Sequence, residues 1–161
     1  MWKTFGLILV STTIATTPLL ATEPTPEAAV AAVLDAFHTA ASEADGETYF
    51  ALLSDGAIYI GTDASERWTV DEFRAFAEPY FDEGRGWTYT ATERHVDLSP
   101  EGNVAWFDEI LDNAAYGTCR GTGVLVLTGS GWRIAQYHLT FPIPNALAKE
   151  LTARIKEHSA E

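Results

Sequence analysis

From Trp87 onward the chain reads "WTYTATERHVDL", "VAWFDEIL", "TCRGTGVLVLT" and "WRIAQYHLTF", four strand-like runs separated by "SPEGN", "DNAAYG" and "GSG". Connections this short join antiparallel neighbours, so this half is expected to fold as a meander. A sheet must bury at least one face, and the cover has to come from the rest of the chain.

The N-terminal half has helical period instead. The stretch 22–26, "TEPTP", reads as a polar linker in which Thr25 caps a helix with Pro26 as its first residue. Val30, Val33, Leu34 and Phe37 then form one apolar stripe. A shorter helix is expected over 47–53, stopping at "SDG", with "AIYIG" as a strand after it. "TVDE" at 69–72 is a capping box, and Val70, Phe73, Phe76 and Tyr80 mark the buried side of a third helix. Pro79 is expected to kink or shorten that helix, and Gly84 or Gly86 to end it. A final amphipathic segment, 145–161, carries Leu147, Leu151 and Ile155 on one side. The plan is α+β, a single domain with one bent sheet covered on one face by helices.

Residues 1–21 begin with Lys3 and the apolar run 5–10 and fade through "STTIATTPLLA", the pattern of a signal peptide cut after Ala21. The run is too short to span a bilayer, and the expected mature protein is exported, periplasmic or secreted. Cys119 is the only cysteine, so no disulfide forms within the chain and stability rests on packing. A net charge of -13 argues against nucleic acid and anionic membranes as partners, since both associations run on basic patches. Metal binding is not expected either, because His38, His95, His138, His158 and Cys119 lack ligand spacing. There is no phosphate loop and no nucleophile elbow, and no cofactor is implied.

The hairpins allow the meander to be aligned. With Leu127 opposite Trp132 and Leu111 opposite Thr118, three strands share the rows Asp108, Gly121, His138 and Trp106, Gly123, Gln136. Val104, Leu125 and Ile134 make the next row. Gly121 and Gly123 would leave a hollow walled by Asp108 and Trp106 on one side and His138 and Gln136 on the other. Strands lie about 4.8 Å apart, so Asp108 and His138 would be roughly 10 Å apart at the backbone, within reach through one water or a small ligand group. The same alignment puts Glu109 opposite Arg120 on the other face as a cross-strand ion pair. A single β-bulge would shift the parity and dissolve these rows.

"NVAWFDEIL", "RGTGVLVL" and "GWRIAQYHLTFPIPN", preceded by "GTDASERWTVDEF", resemble the SnoaL-like branch of the nuclear transport factor 2-like (NTF2-like) superfamily over about residues 27–144. The resemblance implies a cone-shaped fold with N-terminal helices packed on a strongly curved antiparallel sheet, a pocket at the open end and homodimers through the sheet. It also implies a choice of functions, because the superfamily holds isomerases, cyclases and dehydratases beside non-catalytic binding and association domains. The family's strand signature falls on Trp132, Arg133, Ile134 and His138, whereas its catalytic carboxylate and oxyanion donors find no matching motif here.

Three readings follow. In the first, the chain binds a small, largely apolar molecule between sheet and helices, with Tyr59, Trp87, Tyr89, Trp106 and Gln136 as contacts and His138 orienting the ligand. In the second, Asp108 and His138 are the acid-base pair of a cofactor-free isomerase, dehydratase or cyclase. In the third, the domain is a homodimeric association module. Asp63, Glu66 and Trp68 are candidates for the rim of the pocket, while His38 and His95 read as structural or exposed. Binding leads, because no complete catalytic constellation can be read.

Overall fold

The computed structural model describes residues 24–159, so the leader at 1–21 and the first residues of the linker lie outside it. In chain order the elements are α1 (Pro26–Glu43), α2 (Gly46–Ala51), β1 (Leu53–Ile60), β2 (Arg67–Thr69), α3 (Val70–Asp82), β3 (Thr90–Leu98), β4 (Val104–Asn113), β5 (Gly117–Thr128), β6 (Gly131–Thr140) and α4 (Asn145–His158).

The capping signals act as read, but the buried face of α3 is not the one expected: Phe73, Ala77 and Phe81 are buried, whereas Phe76 and Tyr80 are exposed. Thr25 accepts from the Ala28 amide at 3.2 Å at the start of α1, and Pro26 follows it. At α3, Thr69 and Glu72 form both halves of the capping box. Pro79 sits inside α3 without ending it; the helix runs to Asp82, and Gly84, at φ +68°, turns the chain away. The second helix is shorter than expected and β1 starts early, at Leu53, because "SDG" is carried through the strand as an irregularity of register between Leu53 and Ile58. In "GTDASERW", expected as turn and rim, residues 67–69 pair with β1 as β2.

The sheet has six strands in the order β2-β1-β6-β5-β4-β3. All neighbours are antiparallel except β1 and β6, which run parallel. Helices α1 and α3 cover the concave side. The core between them is aromatic: Phe37 stacks on Tyr49 at 4.2 Å and Tyr59 on Phe73 at 3.8 Å. No residue of α4 is buried, and its stripe of Leu147 and Ile155 is 47% and 55% exposed.

The register of the last three strands differs from the one expected, for two local reasons. At the β4–β5 turn, Asn113 Oδ1 accepts from the amides of Ala115 and Tyr116, and Asn113 pairs with Gly117. Leu111 therefore stands opposite Cys119, not Thr118, and every residue of β4 changes partner by one. Between β5 and β6 the first rows are as expected, Leu127 with Trp132 and Leu125 with Ile134. Ala135 is then bulged out, and beyond it Gly123 faces Tyr137 and Gly121 faces Leu139. The bulge is why β6 reads as though it buried Gln136 and His138 along with Trp132 and Ile134. It buries Trp132 and Ile134 before Ala135, and Tyr137 and Leu139 after it.

Candidate functional site

Concave rows run Glu109, Gly121, Leu139 and Phe107, Gly123, Tyr137. The convex rows are Asp108, Thr122, His138 and Trp106, Val124, Gln136. Asp108 and His138 thus share a row, but on the outer face, with Thr122 between them instead of a glycine; Asp108 and Trp106 are exposed. The expected hollow does not exist. A Cβ on Gly121 would lie 2.5 Å from the Tyr137 hydroxyl and 2.7 Å from Glu109 Oε1, and one on Gly123 would meet the Phe107 ring at 2.8 Å. Both glycines make room for inward side chains, not for a ligand.

What fills the space is a buried polar cluster. Glu109, 0% exposed, accepts from His38 Nε2 at 2.7 Å, Arg94 Nε at 2.8 Å and the Tyr137 hydroxyl at 3.1 Å. Arg94 Nη1 donates further to Asp35 Oδ1 at 2.7 Å and to the Ala31 carbonyl at 3.2 Å. Burial pushes the Glu109 carboxyl up, but the hydrogen bonds and charges of His38 and Arg94 outweigh it and hold the group below its usual range. Burial, with the Glu109 charge beside it, drives the Tyr137 phenol well above its ordinary value, so it stays a donor. The expected Glu109–Arg120 pair is absent: Glu109 points inward and Arg120 lies on the other face, opposite Ile110. His38, read as structural or exposed, is a member of this cluster. One signal for it lies in the sequence: a three-residue β4–β5 loop closed by Gly117 puts Glu109, not Asp108, on the concave side.

The cleft at the open end of the sheet, about 280 Å³, is built from other elements. Tyr59 from β1, Trp68 from β2, Phe73 and Phe76 from α3, and Trp87 and Tyr89 from the approach to β3 form its walls, with Tyr116, Leu139 and Phe141 across from them. The rings of Tyr59 and Phe73 lie 9° from parallel, Trp68 and Phe73 21°, and Trp68 and Phe76 17°, a ladder of flat faces. Tyr116 and Phe141 meet at 4.8 Å on the rim and are both exposed. Burial raises the Tyr59 phenol and pushes Tyr89 up to about 12, so both are neutral donors at ordinary pH. Thr62 and Glu66 add the polar side of the lining, with Glu66 Oε2 accepting from the Asp63 amide at 3.1 Å. Of the residues singled out as ligand contacts, Tyr59, Trp87 and Tyr89 meet here, together with the rim residues Glu66 and Trp68. Trp106 and Gln136 do not.

Among the described residues no group of three His, Cys, Asp or Glu side chains is placed to hold a metal ion, and no helix is long and apolar enough to cross a membrane. Cys119 is buried, and burial raises its thiol, which makes it a poor nucleophile.

Residues 30–144 match the family model of the SnoaL-like domain. The sequence matches no curated protein. Among solved structures, a candidate aromatic ring hydroxylase from Novosphingobium aromaticivorans is similar with a TM-score of 0.65 at 16% identity, over 76% of this chain and 94% of that one. A candidate dehydratase of the NTF2-like family from Streptomyces avermitilis gives 0.64 at 15% identity, over 74% and 98%. A domain of unknown function with a cystatin-like fold from Nostoc punctiforme gives 0.61 at 18%, over 86% and 97%. At these identities the likeness is one of fold, with a curved sheet wrapped around helices.

Proposed function

Since the chain belongs to the SnoaL-like domain family, whose NTF2-like fold includes ligand-binding and isomerase or dehydratase members, we propose that it binds a small, flat, largely apolar molecule in the aromatic cleft. The observation that carries this reading is the ladder of near-parallel rings Tyr59, Phe73, Trp68 and Phe76 along one wall. Stacked faces favour a planar ligand, and the neutral phenol of Tyr89 supplies one directional donor. Binding is favoured over turnover by Asp108 and His138, because both stand on the far side of the sheet from this cleft. Export fits the Lys3 start and the apolar run at 5–10.

With 1-naphthol as probe, followed through tryptophan fluorescence, Trp68→Ala is expected to weaken binding about ten-fold or more, from lost stacking and apolar contact. Trp106→Ala, on the convex face, should leave affinity unchanged. Equal affinities for wild type and Trp68→Ala would remove the cleft from consideration.

A second reading, a homodimer through the convex face, is favoured by Trp106, 46% exposed on β4 with half-buried Val104, Val124 and Val126 around it. Sedimentation velocity is expected to show a dimer for the wild type and a monomer for Trp106→Asp. A wild type that sediments as a monomer throughout the micromolar range would rule it out.

A further inference from the structure

The buried cluster leaves two nitrogens without a partner among the described residues, Arg94 Nη2, which is fully buried, and His38 Nδ1. Glu109 is held ionised and can only accept, so the 2.7 Å contact with His38 requires the proton on Nε2. A neutral imidazole protonated there carries a lone pair on Nδ1, and Nδ1 makes no hydrogen bond to any described residue. His38 also lines a cleft of about 320 Å³ between α1 and the start of β3, which shares Tyr89 with the aromatic cleft. This wall is polar: Asp35, Thr39 and Ser42 come from α1, and Thr88 and Thr90 face them.

We propose that the cleft between α1 and β3 is a second small-molecule site, for a neutral or cationic molecule rich in hydroxyl or ammonium donors, with His38 Nδ1 as the acceptor that orients it. A polyol or an amino alcohol has this chemistry. The lining offers Asp35, the hydroxyls and the His38 ring as acceptors, and no Lys or Arg lines it. Arg94 does not line the cleft: its Nε and Nη1 are engaged with Glu109, Asp35 and the Ala31 carbonyl, and its unpaired Nη2 is buried. With a net charge of -13 on the chain, anions are disfavoured further. Glu109 is a positioning residue: it fixes which ring nitrogen faces the ligand. The site shares Tyr89 with the aromatic cleft but none of its other lining residues, and the experiment below separates the two.

The test uses the full chain labelled with ¹⁵N-histidine, the His38 signals being identified by their loss in His38→Asn. At about pH 9, above the ordinary imidazole titration range, long-range ¹H–¹⁵N spectra are expected to show Nε2 protonated and Nδ1 bare. A proton on Nδ1 at that pH overturns the acceptor assignment. Titration with myo-inositol and with ethanolamine to tens of millimolar is expected to move the Nδ1 signal saturably in at least one case, and acetate is expected to leave it unmoved. Thr39→Trp, at an exposed position on the wall, should weaken that response ten-fold or more, and Trp68→Ala should leave it unchanged. Glu109→Gln should mix the two tautomers; because that variant can fail to fold, Thr39→Trp carries the test independently. No response to either donor probe, or a response to acetate alone, overturns the site.

Discussion

Glu109→Leu is expected to lower the free energy of unfolding by about 3–5 kcal/mol, the usual cost of removing one partner from a buried ionic cluster. Leucine supplies no acceptor, so Arg94 Nε, His38 Nε2 and the Tyr137 hydroxyl all lose their bond in a place with little access to water. Urea titration at neutral pH measures this through a fall in midpoint at unchanged slope. The effect is also pH-dependent. The folded state holds the Glu109 carboxyl below its usual range, so it binds that proton less readily than the unfolded chain does. The contribution is whole above the unfolded value of about 4.3 and disappears as pH falls through the folded one. The gap between wild type and Glu109→Leu should therefore narrow as pH is lowered from about 5 toward 3. A cost under about 1 kcal/mol at neutral pH, typical of an exposed pair, would mean that Glu109 is not buried among these partners.

Gly123→Ala is expected to rank with it, at or above the upper end of the roughly 1–3 kcal/mol typical of overpacking. The added methyl would sit 2.1 Å from the Gln136 carbonyl oxygen and 2.8 Å from the Phe107 ring. A ring can tilt, but a main-chain carbonyl next to the Ala135 bulge moves only if the β5–β6 ladder moves with it. The thermal midpoint should drop by several degrees, and amide exchange should quicken around 134–137 before it does elsewhere. If Gly123→Ala is as stable as the wild type, the bulge and its register are misplaced.

The contrast between these glycines and the residues first assigned to the site shows where the sequence was readable. Caps and stripes are local, so Thr25, Thr69 and Glu72 announced α1 and α3 without knowledge of anything distant. The family resemblance was legible for a related reason: it rests on the strand runs 103–111, 120–127 and 131–145, which form β4, β5 and β6. Facing is a different matter, because it depends on parity, and one residue reverses it. Ala135, small and unremarkable, gives no sign that it is the extra residue of a bulge, yet it turns Gln136 and His138 outward. The three-residue turn at 114–116 does the same to Trp106 and Asp108, and brings Glu109 in. Tyr59, Trp87 and Tyr89 escaped this problem because none of them was assigned by counting along those ladders. His38 could not be found by local pattern at all, since its partner Glu109 is 71 positions away, and Arg94 and Tyr137 are reached only through Glu109 itself.

The parallel neighbour of β1 is β6, the last of the six described strands in chain order, and until it is made residues 53–60 have only the three-residue β2 to pair with. Completion of the sheet must wait until residues 131–140 have been made, and closing so long a loop is slower than forming local helices. During that interval the edge of β1 that β6 will cover is unpaired, the kind of exposed strand edge that makes an incomplete sheet prone to wrong pairing.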